Sequence, residues 1–349
     1  MTVTEDDHDG RSSAWHAAWE VLAPVTDLVT PMAVRVAASL GLTDLMAGDA
    51  VPVEELARRS GTDADALARL LRLLVCRGVF TEREPGRFAV NGPAALLASG
   101  HPSGMRERLD LGGFGGQMDL AFTGLLHTVR TGQPAWETVF GAPIWRYLAT
   151  NPQMGASFDA MMASVADEVA DAVQAYDWSG VRHVVDVGGG TGALLAGLLR
   201  ADPDLRATLV DLPDTVERGR RHLAESGLEA RCEFAGQSFF DPLPAGGDVY
   251  VVRRVVHDWG DDEAVLILRR CAEAAGPHGR VVVIDTPGDA DAAMFAEMSL
   301  RMLVLNGGRE RTADDYAAIT AEAGLHLAGV RSTPLGHLLL DCVPLVSRS

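Results

Sequence analysis

The sequence contains no lysine, and its thirty basic residues are all arginines. A chain without lysine has no side chain that can form a Schiff base with pyridoxal phosphate. It also lacks the Walker A lysine of P-loop nucleotide hydrolases and the strand lysine of protein kinases. These absences exclude three large classes of enzyme.

Cysteine, long apolar runs and positive charge are also scarce. The four cysteines lie far apart, which favours buried thiols over a disulfide framework or a zinc site. No uninterrupted apolar run reaches transmembrane length, and the first residues lack the regions of a signal peptide. A net charge of −18 opposes non-specific binding to nucleic acid. We therefore expect a cytoplasmic enzyme of small molecules, without nucleic acid or membrane as a partner.

The remaining composition and the hydrophobic pattern indicate an α/β protein with a second, helical domain. A length of 349 residues and an apolar content of 47% allow two domains. From residue 183 onwards, β-branched runs alternate with helical patterns, as in a doubly wound parallel sheet. The expected strands are 183–187, 207–211, 231–235, 248–252, 280–285, 325–330 and 337–344. The expected domains are 1–105 for dimerisation, 106–178 as a helical connector that contributes to the substrate pocket, and 179–349 for the sheet.

The N-terminal domain is predicted to be mainly helical. Residues 13–40 carry apolar side chains at helical spacing, interrupted by Pro24 and Pro31, and are too apolar to stand alone. Residues 53–75 predict two helices around a turn at Gly61, and a hairpin pattern follows, which gives a winged-helix arrangement. Such a unit either recognises DNA or builds a dimer, and the acidic surroundings of its arginines favour a dimer.

A glycine-rich turn after a β-branched run is the most informative motif. Residues 184–192 have the sequence Val-Val-Asp-Val-Gly-Gly-Gly-Thr-Gly. Gly188 and Gly190 can take positive φ and let a ligand lie against the backbone at the carboxyl end of a strand. The next strand ends in Asp211, close to the spacing at which an acid binds ribose hydroxyls. The pattern predicts a nucleotide or nucleoside site.

The glycine spacing distinguishes between two kinds of nucleotide site. Dinucleotide folds usually have Gly-x-Gly-x-x-Gly, whereas this chain has Gly-x-Gly-x-Gly preceded by Asp186. An acid in front of the turn would repel a diphosphate and would suit the ammonium group of an amino-acid-bearing nucleoside. An NAD-dependent dehydrogenase is therefore the less favoured alternative.

Three further blocks extend the motif into a family pattern. They are Phe239-Phe-Asp-Pro-Leu-Pro, Asp248-Val-Tyr-Val-Val-Arg-Arg-Val-Val-His-Asp-Trp and Gly307-Gly-Arg-Glu-Arg-Thr. Over nearly its whole length, the chain resembles the class I S-adenosylmethionine (SAM) O-methyltransferases of plant type and of actinobacterial natural-product pathways. The resemblance implies a Rossmann-like methyltransferase sheet, a winged-helix dimerisation domain, a homodimer and methylation of a phenolic hydroxyl of a polyketide or anthraquinone.

Methyl transfer requires alignment of donor and acceptor and a base for the acceptor's proton. His257 follows the strand 248–252 at the same sheet edge as the glycine turn, and an imidazole with an ordinary pKa of about 6.5 can accept a phenolic proton. The His-Asp-Trp triplet matches the base motif of the resembling enzymes. The resemblance also implies that Asp285 and Glu310 orient this base. Those enzymes usually have Glu in place of Asp285, and whether the shorter side chain contacts His257 is open.

The resemblance assigns the remaining site residues. The cofactor site comprises Asp186, Gly188, Gly190, Asp211, Ser238, Phe239 and Arg253. The substrate site comprises Asp258, Arg301, Met161 and Met298. Asp258 and Arg301 have the alternative of a local cap or salt bridge. Gly155 lies where some of the resembling enzymes have an arginine that binds the SAM carboxylate, so that contact is unassigned.

Two questions about the chemistry stay open at this point. No cluster of His, Asp and Glu has the spacing of a metal site, so we expect metal-free base catalysis. Some proteins of this fold bind SAM but hydroxylate or decarboxylate their substrates, and those lack histidine at the position of the base. His257 therefore favours methyl transfer over that alternative.

Overall fold

The computed structural model describes residues 6–163, 166–286 and 292–345. Contacts along the backbone divide the chain into two compact units, Met1–Gln117 and Met118–Ser349. The first unit contains helices α1 (Asp6–Thr26), α2 (Val29–Ser39), α3 (Leu42–Leu45), α4 (Val53–Ser60), α5 (Ala64–Cys76), α6 (Gly92–Ala95) and α7 (Met105–Leu109). Its strands are β1 (Val51–Pro52), β2 (Thr81–Glu84) and β3 (Arg87–Ala89), and helix α8 (Phe114–Ala121) spans the boundary.

The winged-helix arrangement is present within the first unit. Helix α4 ends at Gly61, whose φ of 68° only glycine adopts readily, and Asp63 caps α5 by accepting the Ala66 N–H at 2.8 Å. The antiparallel sheet has the order β1-β3-β2. Ion pairs join Arg58 and Arg59 to Glu55, and with Glu54 the helix has two acidic and two basic residues, so its charges balance.

An apolar face lies along the first two helices. The segment Trp15–Ser39 is long and apolar enough to cross a membrane by length and composition, although Glu20, Asp27 and Arg35 interrupt its apolar residues. The helix is interrupted at residues 27–28, because Asp27 accepts the N–H of Val29 at 2.7 Å and starts α2 afresh. Helix α2 has 11 residues, about half of a membrane-spanning length. The side chains exposed here are Trp15, Trp19, Val21, Leu22, Val25, Leu28, Val29 and Met32. Such a patch marks an interaction surface.

The second unit is built around a seven-stranded sheet. Its strands are β4 (His183–Val187), β5 (Arg206–Asp211), β6 (Cys232–Gly236), β7 (Val249–Arg253), β8 (Arg280–Asp285), β9 (Leu325–Ser332) and β10 (Leu338–Pro344). Its helices are α9 (Leu125–Thr131), α10 (Trp136–Phe140), α11 (Ile144–Thr150), α12 (Pro152–Ala163), α13 (Ala166–Ala175), α14 (Ala193–Ala201), α15 (Pro213–Glu225), α16 (Asp261–Ala275), α17 (Ala292–Leu305) and α18 (Ala313–Glu322).

The strand order is β6-β5-β4-β7-β8-β10-β9. Strands β4 to β8 are parallel, as expected, and every predicted strand lies within two residues of its observed bounds. Strands β9 and β10 instead form an antiparallel hairpin, with β10 inserted beside β8. The reason is that residues 333–337 are too few for the crossover that a parallel pair needs.

The two faces of this sheet are covered by separate apolar cores. Because side chains alternate along a strand, Val185, Tyr250 and Val283 pack on one face with α16 and α18. Val184, Val251 and Val282 pack on the other face with α14 and α15. The burial of both faces stabilises the sheet. The strand order reverses between β4 and β7. Ligands of open α/β sheets bind at the carboxyl edge where the order reverses.

A buried carboxylate fastens the β9–β10 connection to α13. Asp171 accepts hydrogen bonds from Thr333 Oγ1, from the Leu335 N–H at 2.9 Å and from His337 Nδ1 at 3.0 Å. We expect Asp171→Ala to lower the free energy of unfolding by about 2–4 kcal/mol, because three donors, among them the buried Thr333 hydroxyl, would lose their acceptor. Urea unfolding measures this. The exposed Asp177→Ala is the control, with an expected change below about 0.5 kcal/mol, and equal midpoints for the two variants would contradict the prediction.

Candidate active site

The glycine turn lies at the carboxyl end of β4, where the strand order reverses. Gly188 and Gly190 have φ values of 71° and 58°, in the region that favours glycine. A Cβ placed on Gly190 would meet no atom within 4 Å, so one side of this backbone faces open space. The Gly190 N–H donates to Asp211 Oδ2 at 2.9 Å, which joins the turn to the end of β5.

Two acids lie below and beside this turn. Burial raises the pKa of Asp186 to about 7, with Arg253 acting against the rise, and burial raises the pKa of Asp211 to about 6. Asp186 Oδ2 is buried with no hydrogen-bond partner among the described residues. A buried carboxylate oxygen without a partner is costly, and an ammonium group at the turn would satisfy it. The residues therefore fit the amino-acid part of SAM.

The other predicted cofactor residues surround the same edge. Phe239 follows β6, and one of its ring atoms lies 3.5 Å from the position of a Cβ on Gly188. Its ring packs edge-on against Trp259, with centroids 5.9 Å apart. The Ser238 hydroxyl accepts the Phe240 N–H at 3.2 Å, and Arg253 ends β7. Whether each of these residues contacts the cofactor stays a prediction.

His257 is held at this edge by a short turn after β7. Arg254 begins the turn in a left-handed conformation with a φ of 52°, which is unusual for a residue with a side chain. The loop at residues 307–309 then packs directly on the backbone of His257. The Arg309 N–H donates to the His257 carbonyl at 2.9 Å, and a Cβ on Gly308 would lie 2.1 Å from that carbonyl oxygen. Only glycine permits this approach.

Two carboxylates face the same ring nitrogen of His257. Nδ1 lies 2.9 Å from Glu310 Oε1, within hydrogen-bond distance, and 3.4 Å from Asp285 Oδ1. All three residues are at most 4% exposed. Because ionised acids only accept, the proton of the neutral ring is on Nδ1, and the lone pair is on Nε2. The arrangement prepares Nε2 to accept a proton. These distances also answer the open question on Asp285. Its carboxylate lies close to the ring, but the hydrogen bond to Nδ1 is made by Glu310.

The carboxylates change the proton affinity of the imidazole. Burial disfavours the charged ring, but Asp285, Asp258 and Glu310 outweigh it and raise the pKa of His257 to about 9. The expectation of an ordinary pKa near 6.5 is therefore wrong. Sequence spacing could not show the shift, because Asp285 and Glu310 approach the ring only in the folded chain.

Arg311 was not among the predicted site residues, yet it fixes the turn that carries His257. Its side chain is fully buried and donates to the carbonyls of Val256 and Trp259, both at 2.9 Å. It also binds Asp261 at 2.7 Å. The carbonyls lie on either side of His257 in the chain, so one guanidinium holds the whole turn. The only sequence signal was its place next to Glu310.

The predicted substrate residues differ in their surroundings. Asp258 Oδ1 lies 3.7 Å from His257 Nε2 and accepts a hydrogen bond from Asn306 at 2.8 Å, and burial raises its pKa to about 6. Arg301 pairs with Asp119 at 3.2 Å and with Glu297 at 3.1 Å, the salt-bridge alternative for this residue. Met161 lies on α12 and Met298 on α17, and their roles stay predictions.

A cavity of about 370 Å³ lies beside the Asp258–Asn306 pair. Its apolar walls include Trp136, Trp145, Trp259, Ile144 and Leu305, and Asn306 contributes a polar group. Met161 and Met298 are not among the described residues that line it. A larger cavity of about 450 Å³ lies at the opposite, amino-terminal edge of the sheet, beside Asp248 and Arg280. We assign the chemistry to the first cavity, because Asn306 and Trp259 line it and Asn306 hydrogen-bonds Asp258, the neighbour of His257, although His257 itself is not among the described residues that line it.

The folded chain also brings together a set of groups that sequence spacing did not reveal. Ligand-type atoms of His257, Asp285 and Glu310 lie within 4.8 Å of one another, a separation that also fits a small metal ion. The expectation that no His, Asp and Glu cluster has metal spacing is therefore wrong for these three. Their geometry is nevertheless accounted for by a hydrogen bond between Nδ1 and Glu310, with the charge of Asp285 close to the same nitrogen.

Comparison with known proteins places these features in a family. Residues 122–326 match the model of the O-methyltransferase domain, and residues 25–99 match the O-methyltransferase dimerisation domain. A 2,7-dihydroxy-5-methyl-1-naphthoate 7-O-methyltransferase of Streptomyces carzinostaticus is 44% identical over 87% of this chain and 92% of its own length. Aclacinomycin 10-hydroxylase RdmB of Streptomyces purpurascens is 43% identical over 92% of this chain and 88% of its own.

A solved relative shows the same architecture with bound ligands. The O-methyltransferase NcsB1 of neocarzinostatin biosynthesis, in complex with SAM and 2-hydroxy-5-methyl naphthoic acid, has a TM-score of 0.87 and 41% identity. The similarity covers 92% of this chain and 98% of that one.

The open space beside Gly190 leads to a prediction about the cofactor site. We expect Gly190→Val to weaken SAM binding by roughly 10²-fold or more, because its side chain would occupy the open space and strain a left-handed backbone. Isothermal titration calorimetry measures the affinity. Gly227→Val is the control, since Gly227 has a φ of 69° and equally open surroundings but lies in an exposed turn after α15. Unchanged SAM affinity in Gly190→Val would refute the assignment.

Proposed function

The chain belongs to the O-methyltransferase family, and from this premise we propose that it transfers the methyl group of SAM to a phenolic hydroxyl of an aromatic natural product. The observation that carries the proposal is the buried His257, whose Nδ1 faces two carboxylates, so that Nε2 is the proton acceptor of the neutral ring. The named substrates of related enzymes, a naphthoate among them, support an aromatic acceptor.

The cofactor is assigned to the carboxyl edge of β4 and β5. When bound, SAM supplies an activated methyl group on a sulfonium. Asp186 would accept the ammonium group, the backbone at Gly188 and Gly190 would lie against the amino-acid part, and Asp211 would bind the ribose hydroxyls. Ser238 and Phe239 would border the adenine, and Arg253 is assigned to the methionine carboxylate. Gly155 stands where some of the resembling enzymes have an arginine that binds the SAM carboxylate. The Arg218 side chain lies near this position, 3.7 Å from a Cβ built on Gly155.

The acceptor is assigned to the cavity beside Asp258. Indole rings favour a flat aromatic ligand, and Trp145 and Trp259 face one another at 6.2 Å between centroids. The buried indole nitrogens of these two residues have no hydrogen-bond partner among the described residues, so a carbonyl or carboxylate of the acceptor would find donors here. Trp136 and Trp145 support the role proposed for residues 106–178 in the substrate pocket. Met161, Met298 and Arg301 are assigned to its outer part.

The chain's contribution to the reaction is a base and a fixed geometry. Glu310 holds the Nδ1 proton, so that Nε2 accepts the phenolic proton as the acceptor oxygen attacks the methyl group. Asp285 and Asp258 then stabilise the imidazolium that forms. Alignment of the reacting atoms supplies much of the remaining acceleration.

The raised pKa of His257 suits a phenol. A phenol has an ordinary pKa of about 10, so proton transfer to a base with a pKa of about 9 is nearly balanced. The base must be neutral to act, and roughly 1% of the ring is neutral at pH 7. The pH profile of kcat/KM should therefore rise from neutral pH up to about 9.

A second candidate function is hydroxylation, because one relative of 43% identity is a 10-hydroxylase. His257 and its carboxylates support methyl transfer, since a hydroxylation does not require a base at this position. Mass spectrometry with SAM carrying a deuterated methyl group separates the two. A labelled methyl group on the product supports our proposal, and a gain of one oxygen atom overturns it.

We also propose a cytoplasmic location and a small-molecule partner without nucleic acid or membrane. The net charge of −18 supports the absence of nucleic-acid binding, because a phosphate backbone is repelled by negative charge. The ion pairs of Arg58 and Arg59 with Glu55 also reduce the positive charge that the winged helix presents. The apolar face of α1 and α2 is assigned to a second copy of the chain.

Removal of the base tests the proposed mechanism. We expect His257→Ala to bind SAM with nearly wild-type affinity and to lose activity by roughly 10²–10⁴-fold at neutral pH. Alkaline pH should rescue part of the loss, because solvent then deprotonates the phenol. Initial rates and calorimetry measure the two effects. The exposed His326→Ala is the matched control, and a folded His257→Ala enzyme with a near wild-type rate would sink the base assignment.

Removal of apolar surface tests the homodimer. Trp19 and Leu22 are about half exposed on α1, and a stable interface of standard size buries about 1,600 Å². We expect the wild type to be a dimer at micromolar concentration and the double variant Trp19→Glu, Leu22→Glu to be a monomer by light scattering. Leu335→Glu, on an exposed leucine of the β9–β10 connection, should stay dimeric. A monomeric wild type would contradict the proposal.

A further inference from the structure

Asp285, at the end of β8, has two oxygens with different partners. Oδ1 lies 3.4 Å from His257 Nδ1 and accepts the Thr286 N–H at 3.1 Å. Oδ2 points away from the ring and accepts a hydrogen bond from Tyr316 Oη at 2.7 Å. The tyrosine thus extends the chain of hydrogen-bonding groups one step beyond the acids.

Tyr316 is placed by the same segment that carries Glu310. A capping box between Thr312 and Asp315 starts α18, and Tyr316 lies in its first turn, where its N–H donates to the Thr312 carbonyl at 3.0 Å. The side chain is fully buried. Glu310 and Tyr316 therefore reach the cluster together, one at His257 and the other at Asp285.

Two acids on one ring nitrogen create an electrostatic problem. Nδ1 has one N–H, which donates a hydrogen bond to Glu310 at 2.9 Å. Asp285 therefore remains a buried carboxylate without a hydrogen bond to the ring. A buried charge is costly unless other donors satisfy it. The Tyr316 hydroxyl is such a donor, and burial, with Asp285 adding to it, raises the pKa of Tyr316 well above its ordinary value.

We propose that Tyr316 is a positioning residue of the methyl-transfer reaction, which holds Asp285 by Oδ2 with Oδ1 towards His257 and, by the same hydrogen bond, compensates part of the charge that Asp285 exerts on the ring. This inference rests on the proposed function. Asp285 is too short to hydrogen-bond the ring, since its Oδ1 lies 3.4 Å from Nδ1. The Tyr316 hydroxyl supplies a hydrogen bond to Oδ2 instead and so fixes the carboxylate beside the ring. Asp285 then acts on His257 through its charge, while Glu310 acts through the hydrogen bond.

The charged groups around the cluster set the direction of the expected effect. Asp258, Asp285 and Glu310 face His257, and Arg311 lies near Tyr316. Without the hydroxyl, the charge of Asp285 is less compensated, so the cluster holds its last proton more tightly. Loss of the Asp285 charge has the opposite effect, because one of the carboxylates that favour the imidazolium disappears.

A titration of His257 by nuclear magnetic resonance tests the inference directly. In protein with isotope-labelled histidine, the His257 signal is assigned by its absence from His257→Ala. We expect Tyr316→Phe, which removes only the hydroxyl, to raise the pKa of His257 by about half a unit to one unit. Asp285→Asn should lower that pKa. When Asp285→Asn is already present, adding Tyr316→Phe should not raise the pKa of His257, because the charge that the hydroxyl compensates has been removed.

A matched tyrosine separates positioning from general loss of packing. Tyr250 is also fully buried, and its hydroxyl donates to the carbonyls of Pro244 at 2.6 Å and Ala274 at 3.1 Å, away from the cluster. Tyr250→Phe should lower the melting temperature and leave the His257 titration unchanged. An unchanged titration in Tyr316→Phe, or an equal rise in the Asp285→Asn background, overturns the inference.

The kinetic readout completes the test. In Tyr316→Phe, we expect kcat to fall at neutral pH while the KM for SAM is unchanged, with the rising limb of the pH profile displaced to higher pH. A fall in SAM affinity with an undisplaced limb would overturn the inference. Because the titration needs no turnover, it can contradict the role of Tyr316 while methyl transfer stands. A wild-type protein that does not methylate overturns the proposed function instead.

Discussion

The hydrogen bond between His257 Nδ1 and Glu310 Oε1 is the interaction on which the site depends. It determines which ring nitrogen carries the proton, and thereby turns Nε2 into the acceptor. The bond needs a fixed turn after β7 and a fixed loop before α18. Gly308 allows that loop to lie against the His257 carbonyl, and Arg311 holds the turn through the carbonyls on both sides. Most of the buried polar groups in this region serve to keep one ring in one orientation.

The same cluster combines stability with reactivity through its charge. Buried carboxylates are expensive, and here each is compensated by the ring or by a neighbouring donor. In the proposed mechanism, these acids stabilise the imidazolium that forms during proton transfer. Asp186 and Asp211, at the ends of the neighbouring strands, are proposed in the same way to bind a ligand with a positive charge and hydroxyl groups. The carboxyl edge of the sheet thus carries several acids whose charge is compensated by a neighbouring side chain or, in the proposed function, by a ligand.

Much of this arrangement was predictable because it follows from local pattern. The glycine turn and the strand that ends in Asp211 each lie within a short stretch of sequence, and each was found in its expected place. The pKa of His257 and the roles of Arg311 and Tyr316 were not predictable in this way. Each depends on groups that lie 28 to 55 residues apart in the chain and meet only across the sheet edge. The hairpin direction of β9 and β10 followed from the length of their connection, which the alternating pattern alone did not weigh.

The sequence by itself determined the fold class and the family resemblance, and it supplied the residues that we propose as the nucleoside site and as the base. These follow from residue types at fixed local spacing, since a backbone that must bend sharply needs glycine and a proton acceptor needs histidine. Only the tertiary structure decided how Asp285 and Glu310 divide their contact with His257 and how strongly the ring holds its proton. Distances, burial and hydrogen-bond partners control these properties, because electrostatic interactions depend on separation in space and on the exclusion of water.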